Sequence, residues 1–131
     1  MQSYLQEIEY ITANAGNTVP LQRKAFKKKV SFSLFSFDKK LEIWNYIWTN
    51  TKEYRTEMFC LYFLEEHLYN KEEMLLSWST IKFWQNKINR WETSDSISKI
   101  YAQLVEYDSQ LILPTFKNWN NSKNSWHRRQ R

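Results

Sequence analysis

The stretch Asp38-Lys-Lys-Leu41-Glu-Ile-Trp44-Asn-Tyr-Ile47-Trp48 sets Leu41, Trp44, Ile47 and Trp48 three and four residues apart, with Asp38 ahead of them as a candidate N-cap. That spacing lays one apolar stripe along a helix. Thr49-Asn50-Thr51 breaks it, and the same period resumes on both sides. Upstream, Tyr4, Leu5, Ile8 and Ile11 predict a short helix ending before Asn14-Ala15-Gly16-Asn17. After Pro20, the basic segment Leu21 to Lys29 is helix-permissive, with Phe26 its main apolar anchor. Val30 to Phe37 alternates like a strand but has no second strand to pair with, so it is read as an extended or turn segment.

Downstream, Tyr54, Met58, Leu61, Tyr62 and Leu68 predict another amphipathic helix. Asn70 followed by Glu73 resembles a capping box opening the next, with Met74, Trp78, Ile81 and Ile88 inside and Trp84 a further core candidate. A polar break from Arg90 to Asp95 precedes a helix burying Ile97, Ile100, Tyr101 and Leu104. Leu111 to Trp119 reads as a short apolar element interrupted at Pro114, and Asn120 to Ser125 as a polar capping run. Short amphipathic helices joined by tight polar breaks predict an all-α fold of stacked antiparallel helical hairpins, one domain over residues 1–131.

Composition points the same way. The 131 residues contain one glycine and two prolines. A dinucleotide-binding turn or a phosphate-cradling loop needs several glycines for close backbone approach, so those nucleotide-binding folds are excluded. All-β sandwiches and barrels, with their frequent Gly and Pro turns, fit poorly as well. Hydrophobic residues make up 42% and aromatics 18%, enough to build a core and to argue against disorder. Cys60 is a single cysteine and His67 and His127 lie far apart, so neither a disulfide, a metal site nor a cofactor is expected. No secretory leader and no membrane span are visible, which predicts a cytoplasmic protein.

The net charge of +5 is unevenly distributed. Between Pro20 and Lys40 stand Arg23, Lys24, Lys27, Lys28, Lys29, Lys39 and Lys40 against the single acid Asp38. From Lys117 to Arg131 there are five bases and no acid; the remainder of the chain holds seven bases against thirteen acids. Two basic segments flanking an acidic middle suggest a polyanionic partner, although a lysine run is also commonly a solvated face.

Two clusters could carry chemistry. In the first, Trp91 stands four residues before Asp95; the second runs Trp119-x-x-Ser122-x-Asn124-x-Trp126-x-x-Arg129. Together they resemble the DNA alkylation repair enzymes, HEAT-like-repeat glycosylases of alkylated purines. Ile47-Trp48 followed by Lys52-Glu53-Tyr54-Arg55 is similar to that family's third-to-fourth helix junction, and the likeness spans roughly residues 30 to 131. It implies a HEAT-like α-solenoid whose concave basic surface grips alkylated double-stranded DNA. Asp95 would be the catalytic carboxylate, Trp91 an aromatic contact at the lesion and Arg129 a clamp on the sugar-phosphate backbone. Lys123, Trp126 and Arg128 would join them as DNA-binding residues, without metal or cofactor. Because helical pairs of the family continue further, the chain is expected to be a C-terminally truncated member possessing the N-terminal part of the fold, which leaves open whether it is active by itself.

Each of these residues also has a purely structural reading. Asp95 or Thr93 would cap the helix holding Ile97 and Ile100. Trp91 and Trp126 would be core or staple residues. Arg128 to Arg131 would be a solvated tail. Two alternatives follow: a helical-repeat module that binds DNA or protein through its basic face without catalysis, or a helical domain whose Trp and Arg clusters are packing and tail.

Overall fold

A computed structural model describes residues 1–120, with side chains through Lys117. It contains α1 (Gln2–Ala13), α2 (Val19–Phe26), α3 (Phe37–Asn50), α4 (Tyr54–Glu66), α5 (Lys71–Ile81), a short 3₁₀ turn (Trp84–Lys87), α6 (Trp91–Tyr107) and α7 (Ser109–Asn120). No strand occurs among the described residues. The chain divides into two compact units, Met1–Phe63 and a second that starts at Leu64, so the boundary falls within α4.

In the first unit α1 packs on α2 and on α3. Leu5 and Ile8 of α1 are buried, as are Leu41, Ile43, Trp44, Ile47 and Trp48 of α3. Removing each such aliphatic side chain from water contributes about 1.5–3 kcal/mol. A cluster of rings fills the space between elements. Phe26 lies edge-on to Phe59 and Tyr62 with centroids 5.3 and 5.6 Å away, and Trp44 stacks on Phe63 at 5.9 Å. Phe26 thus is the anchor expected of it, although α2 buries Gln22 and Ala25 most deeply.

Helix ends follow from capping chemistry. Thr18 caps α2 by accepting from the Leu21 N–H, with Pro20 inside the first turn where no amide donor is needed. Ser36, not Asp38, caps α3: its hydroxyl accepts from the Lys39 N–H, and Asp38 sits one residue into the helix. There its carboxylate still faces the positive end of the helix dipole. The segment Val30–Phe37 is a run of turns leading into α3, closed by backbone bonds from Ser33 to Val30 and from Phe35 to Phe32.

The turn between α1 and α2 uses the chain's one glycine. Gly16 has φ +98°, a conformation that L side chains rarely adopt. A Cβ there would also lie 2.6 Å from a Leu21 methyl. The turn is tied by Gln22, whose amide donates to the Thr12 and Gly16 carbonyls at 3.0 and 2.7 Å. The Thr12 hydroxyl in turn meets that of Thr56 at 3.0 Å.

α4 departs from the simple amphipathic stripe expected of it. Thr56, Glu57 and every residue from Phe59 to Leu64 are buried, whereas Tyr54 and Met58 are only half-buried and Leu68 lies past the helix end. Within it Cys60 is fully enclosed, its thiol directed at the Trp44 carbonyl.

In the second unit α5 packs on α6 and on the 3₁₀ turn, and α6 packs on α7. Its core holds Met74, Trp78, Ile81, Trp84, Ile88, Ile97, Ile100, Tyr101, Leu104, Ile112 and Phe116. Asn70 caps α5 as expected, accepting from the Glu73 N–H at 3.0 Å. The Glu73 carboxylate, however, pairs with His67 Nδ1 at 2.7 Å. Asp108 alone connects α6 to α7, its carboxylate accepting from the Leu111 N–H. α7 runs continuously through Pro114, which corrects the expected interruption there. Helices packed on their sequence neighbours in an all-α chain are the arrangement expected of stacked hairpins. No helix among the described residues is long and apolar enough to cross a membrane.

Candidate functional site

α6 begins at Trp91, with Arg90 in an extended conformation as its N-cap and no side chain capping it. The Arg90 carbonyl accepts from the Ser94 N–H at 3.0 Å and from the Thr93 hydroxyl at 3.2 Å. Glu92 in the first turn suits the helix dipole. Neither Asp95 nor Thr93 is therefore the cap: Asp95 lies in the second turn, and Thr93 is buried. The helix thus starts within the polar run from Arg90 to Asp95, at a point that no capping side chain marks.

Burial along α6 divides it into two faces. Thr93, Ser94, Ile97, Ile100, Tyr101 and Leu104 turn inward. Trp91, Asp95, Lys99, Ala102 and Glu106, three or four residues apart, are exposed. Trp91 and Asp95 thus stand one turn apart on the same outward face, within side-chain reach of each other. At 59% exposure Trp91 is no core or staple residue, unlike Trp78 and Trp84, which are buried. An indole so placed leaves about half its large apolar surface in water, a cost that partner binding would recover.

Three polar contacts fix the rotation of α6 and so the direction of that face. The Tyr101 hydroxyl donates to the Ile81 carbonyl at 2.6 Å and accepts from the Gln85 backbone N–H. Burial pushes its pKa well above 10.0, which keeps the phenol protonated as a donor. Ser96 donates to the Glu65 carboxylate at 3.2 Å, and the Tyr107 hydroxyl donates to the Leu68 carbonyl at 2.8 Å. The Tyr101 ring is held edge-on to Trp78 at 5.4 Å and against Phe116 at 5.9 Å.

Trp91 and Asp95 are thus brought together. Lys123, Trp126, Arg128 and Arg129 lie outside the described residues. Two cations went unnoticed in the sequence: Arg90, beside Trp91 at the helix start, and Lys99, four residues beyond Asp95 on the exposed stripe. The recurrence at 91, 95 and 99 was the signal for the second. In the first unit an open cavity of about 520 Å³ is lined by Glu9, Thr12, Ala13, Glu53, Tyr54 and Arg55. Glu9 there accepts from the Thr51 hydroxyl and Arg55 donates to the Asn17 carbonyl, so both groups serve to tie the chain to itself.

Compared with known families, residues 1–130 match the model described as DNA alkylation repair enzyme. The chain belongs to that family. The match starts at residue 1 rather than near residue 30, so α1 and α2 are part of the family fold. Lys52 to Arg55 do lie at the α3–α4 junction, where the family likeness put them. None of the curated proteins and none of the solved structures searched matches the chain. Membership of the family carries a role in DNA repair with it, and DNA as the substrate to which that role is directed.

Proposed function

We propose that the protein is a DNA glycosylase that releases cationic N-alkyl purines from duplex DNA, with Asp95 as catalytic carboxylate and Trp91 as the aromatic contact at the lesion. One observation carries this reading: an exposed indole and an exposed carboxylate share one turn of a helix whose rotation is fixed by buried hydrogen bonds. Both are exposed, and neither is the N-cap of α6.

The chemistry suits the pair. Alkylation at a ring nitrogen makes the purine cationic, so the N-glycosidic bond breaks with its electron pair going to the base and neutralising it. Positive charge grows at the anomeric carbon, where a carboxylate stabilises it and accepts the proton of the attacking water. The indole face attracts the cationic base by about 0.5–2 kcal/mol, a modest preference over neutral purines. Arg129 would fork onto a phosphate, with Arg128, Lys123 and Trp126 completing the grip.

Base release from a duplex bearing an N-methylated purine tests the proposal. Asp95→Asn should lower the rate at least 100-fold while leaving duplex affinity within twofold and the melting temperature unchanged. Release by Asp95→Asn at the wild-type rate would remove Asp95 from the mechanism. A second reading, DNA binding without catalysis, draws on the basic segment from Pro20 to Lys40; it prevails if steep salt-dependent binding occurs with no base release from the wild-type chain.

A further inference from the structure

The loop from Lys27 to Phe35, between α2 and α3, combines features that the site on α6 does not use. Leu34 is 94% exposed and Phe35 beside it 37%, the former the most exposed of the large apolar side chains described. Lys27, Lys28 and Lys29 precede them, exposed, and Arg23, Lys24 and Lys39 are exposed on the helices to either side. Lys39 lies 3.7 Å from Glu42, and the guanidinium of Arg23 covers the Tyr62 ring.

The loop is fastened from beneath. Phe32 is buried, edge-on to Tyr4 at 5.2 Å and to Trp44 at 5.4 Å. The Glu7 carboxylate of α1 accepts from both the backbone N–H and the hydroxyl of Ser31, at 2.9 and 2.5 Å. Ser33 Oγ accepts from the Val30 N–H at 2.7 Å. Leu34 is therefore held outward by an anchored turn with cations around it, at little further ordering cost on binding.

We infer that this loop is a second DNA contact, in which Leu34 wedges at a base step while Lys27, Lys28 and Lys29 neutralise neighbouring phosphates. The inference rests on DNA being the polyanion that the family membership indicates. Duplex DNA offers what the loop complements: rails of negative charge with a stacked apolar interior between them. Proteins that bend DNA insert apolar side chains, leucine among them, between base pairs in this way. An anionic membrane is the other surface with such chemistry, but one leucine and part of a phenylalanine bury too little area to hold a protein on a bilayer, whereas one side chain suffices as a wedge.

The test uses the full chain and an unmodified duplex carrying the fluorescent base 2-aminopurine at successive positions. The wild type should brighten 2-aminopurine at a restricted set of steps, through local unstacking. Leu34→Ser should lose that signal and weaken affinity about tenfold with an unchanged slope of affinity against salt, and Leu34→Met should restore both. Replacing Lys27, Lys28 and Lys29 by Gln should lower that slope by about 2–3. Leu34 is solvent-exposed, so melting temperatures should stay at the wild-type value. The inference is overturned if the wild type fails to bind duplex at low salt, if Leu34→Ser unstacks DNA like the wild type, or if Leu34-dependent binding occurs on phosphatidylserine vesicles rather than on DNA. Because no lesion is present in this duplex, absence of glycosylase activity in the wild type would not alter these readouts.

Discussion

Replacing Tyr101 by Phe removes a hydroxyl bonded on both sides and strands the Ile81 carbonyl and the Gln85 N–H in the core of the second unit. The change should cost about 1–3 kcal/mol, read as a lower denaturation midpoint with the denaturant dependence unaltered. The same residue sets a pH dependence. The native state keeps the phenolic proton above pH 10.0, where the unfolded chain releases it, so stability should fall as pH rises past 10. Tyr101→Phe should flatten that fall, and an equal decline in both proteins would assign it to other groups. Trp91 shows what could be read at this scale. Its separation from Asp95 was plain in the sequence, but only its exposure decides between core and surface. Gln22 was illegible for the opposite reason: no apolar period marks a polar side chain that is 2% exposed because its amide ties two carbonyls together.

Helix ends were legible where a capping side chain announces them and misplaced where two candidates compete or none exists. Asn70 was readable, and Asn70→Ala should cost about 1 kcal/mol, checked by thermal melting. Ser36 and Asp38 both satisfy the sequence rule ahead of Leu41, and the hydroxyl of Ser36 takes the role. α6 starts at Trp91 behind an arginine, which has no oxygen to advertise a cap. Pro114 looked like a break because proline removes a helical donor and crowds the preceding turn; contacts of Ile112 and Phe116 on either side carry α7 through it. Pro114→Ala should therefore raise stability by about 1–3 kcal/mol. An unchanged melting temperature would mean that the loss of proline's restriction on the unfolded chain offsets the restored hydrogen bond.

For the molecule as a whole, the fold class was legible from one glycine, two prolines and a recurring helical stripe, none of which depends on knowing partners. The division at Phe63 was not, because α4 is apolar over most of its circumference and offers no composition shift at the boundary. Charge belongs to this scale too. Arg128→Ala with Arg129→Ala should reduce the salt slope of duplex binding by about 2, and unchanged affinity at low salt would count against a C-terminal basic grip.

The enclosure of Cys60 gives the protein a built-in timer. As the chain's one sulfhydryl, fully screened by its neighbours in the middle of α4, it can react with an aromatic disulfide reagent only while that helix is open. The rate of colour release therefore counts spontaneous openings around residue 60 without any engineered label. Bound DNA that slows the reaction would reveal, from the inside, how far its grip reaches.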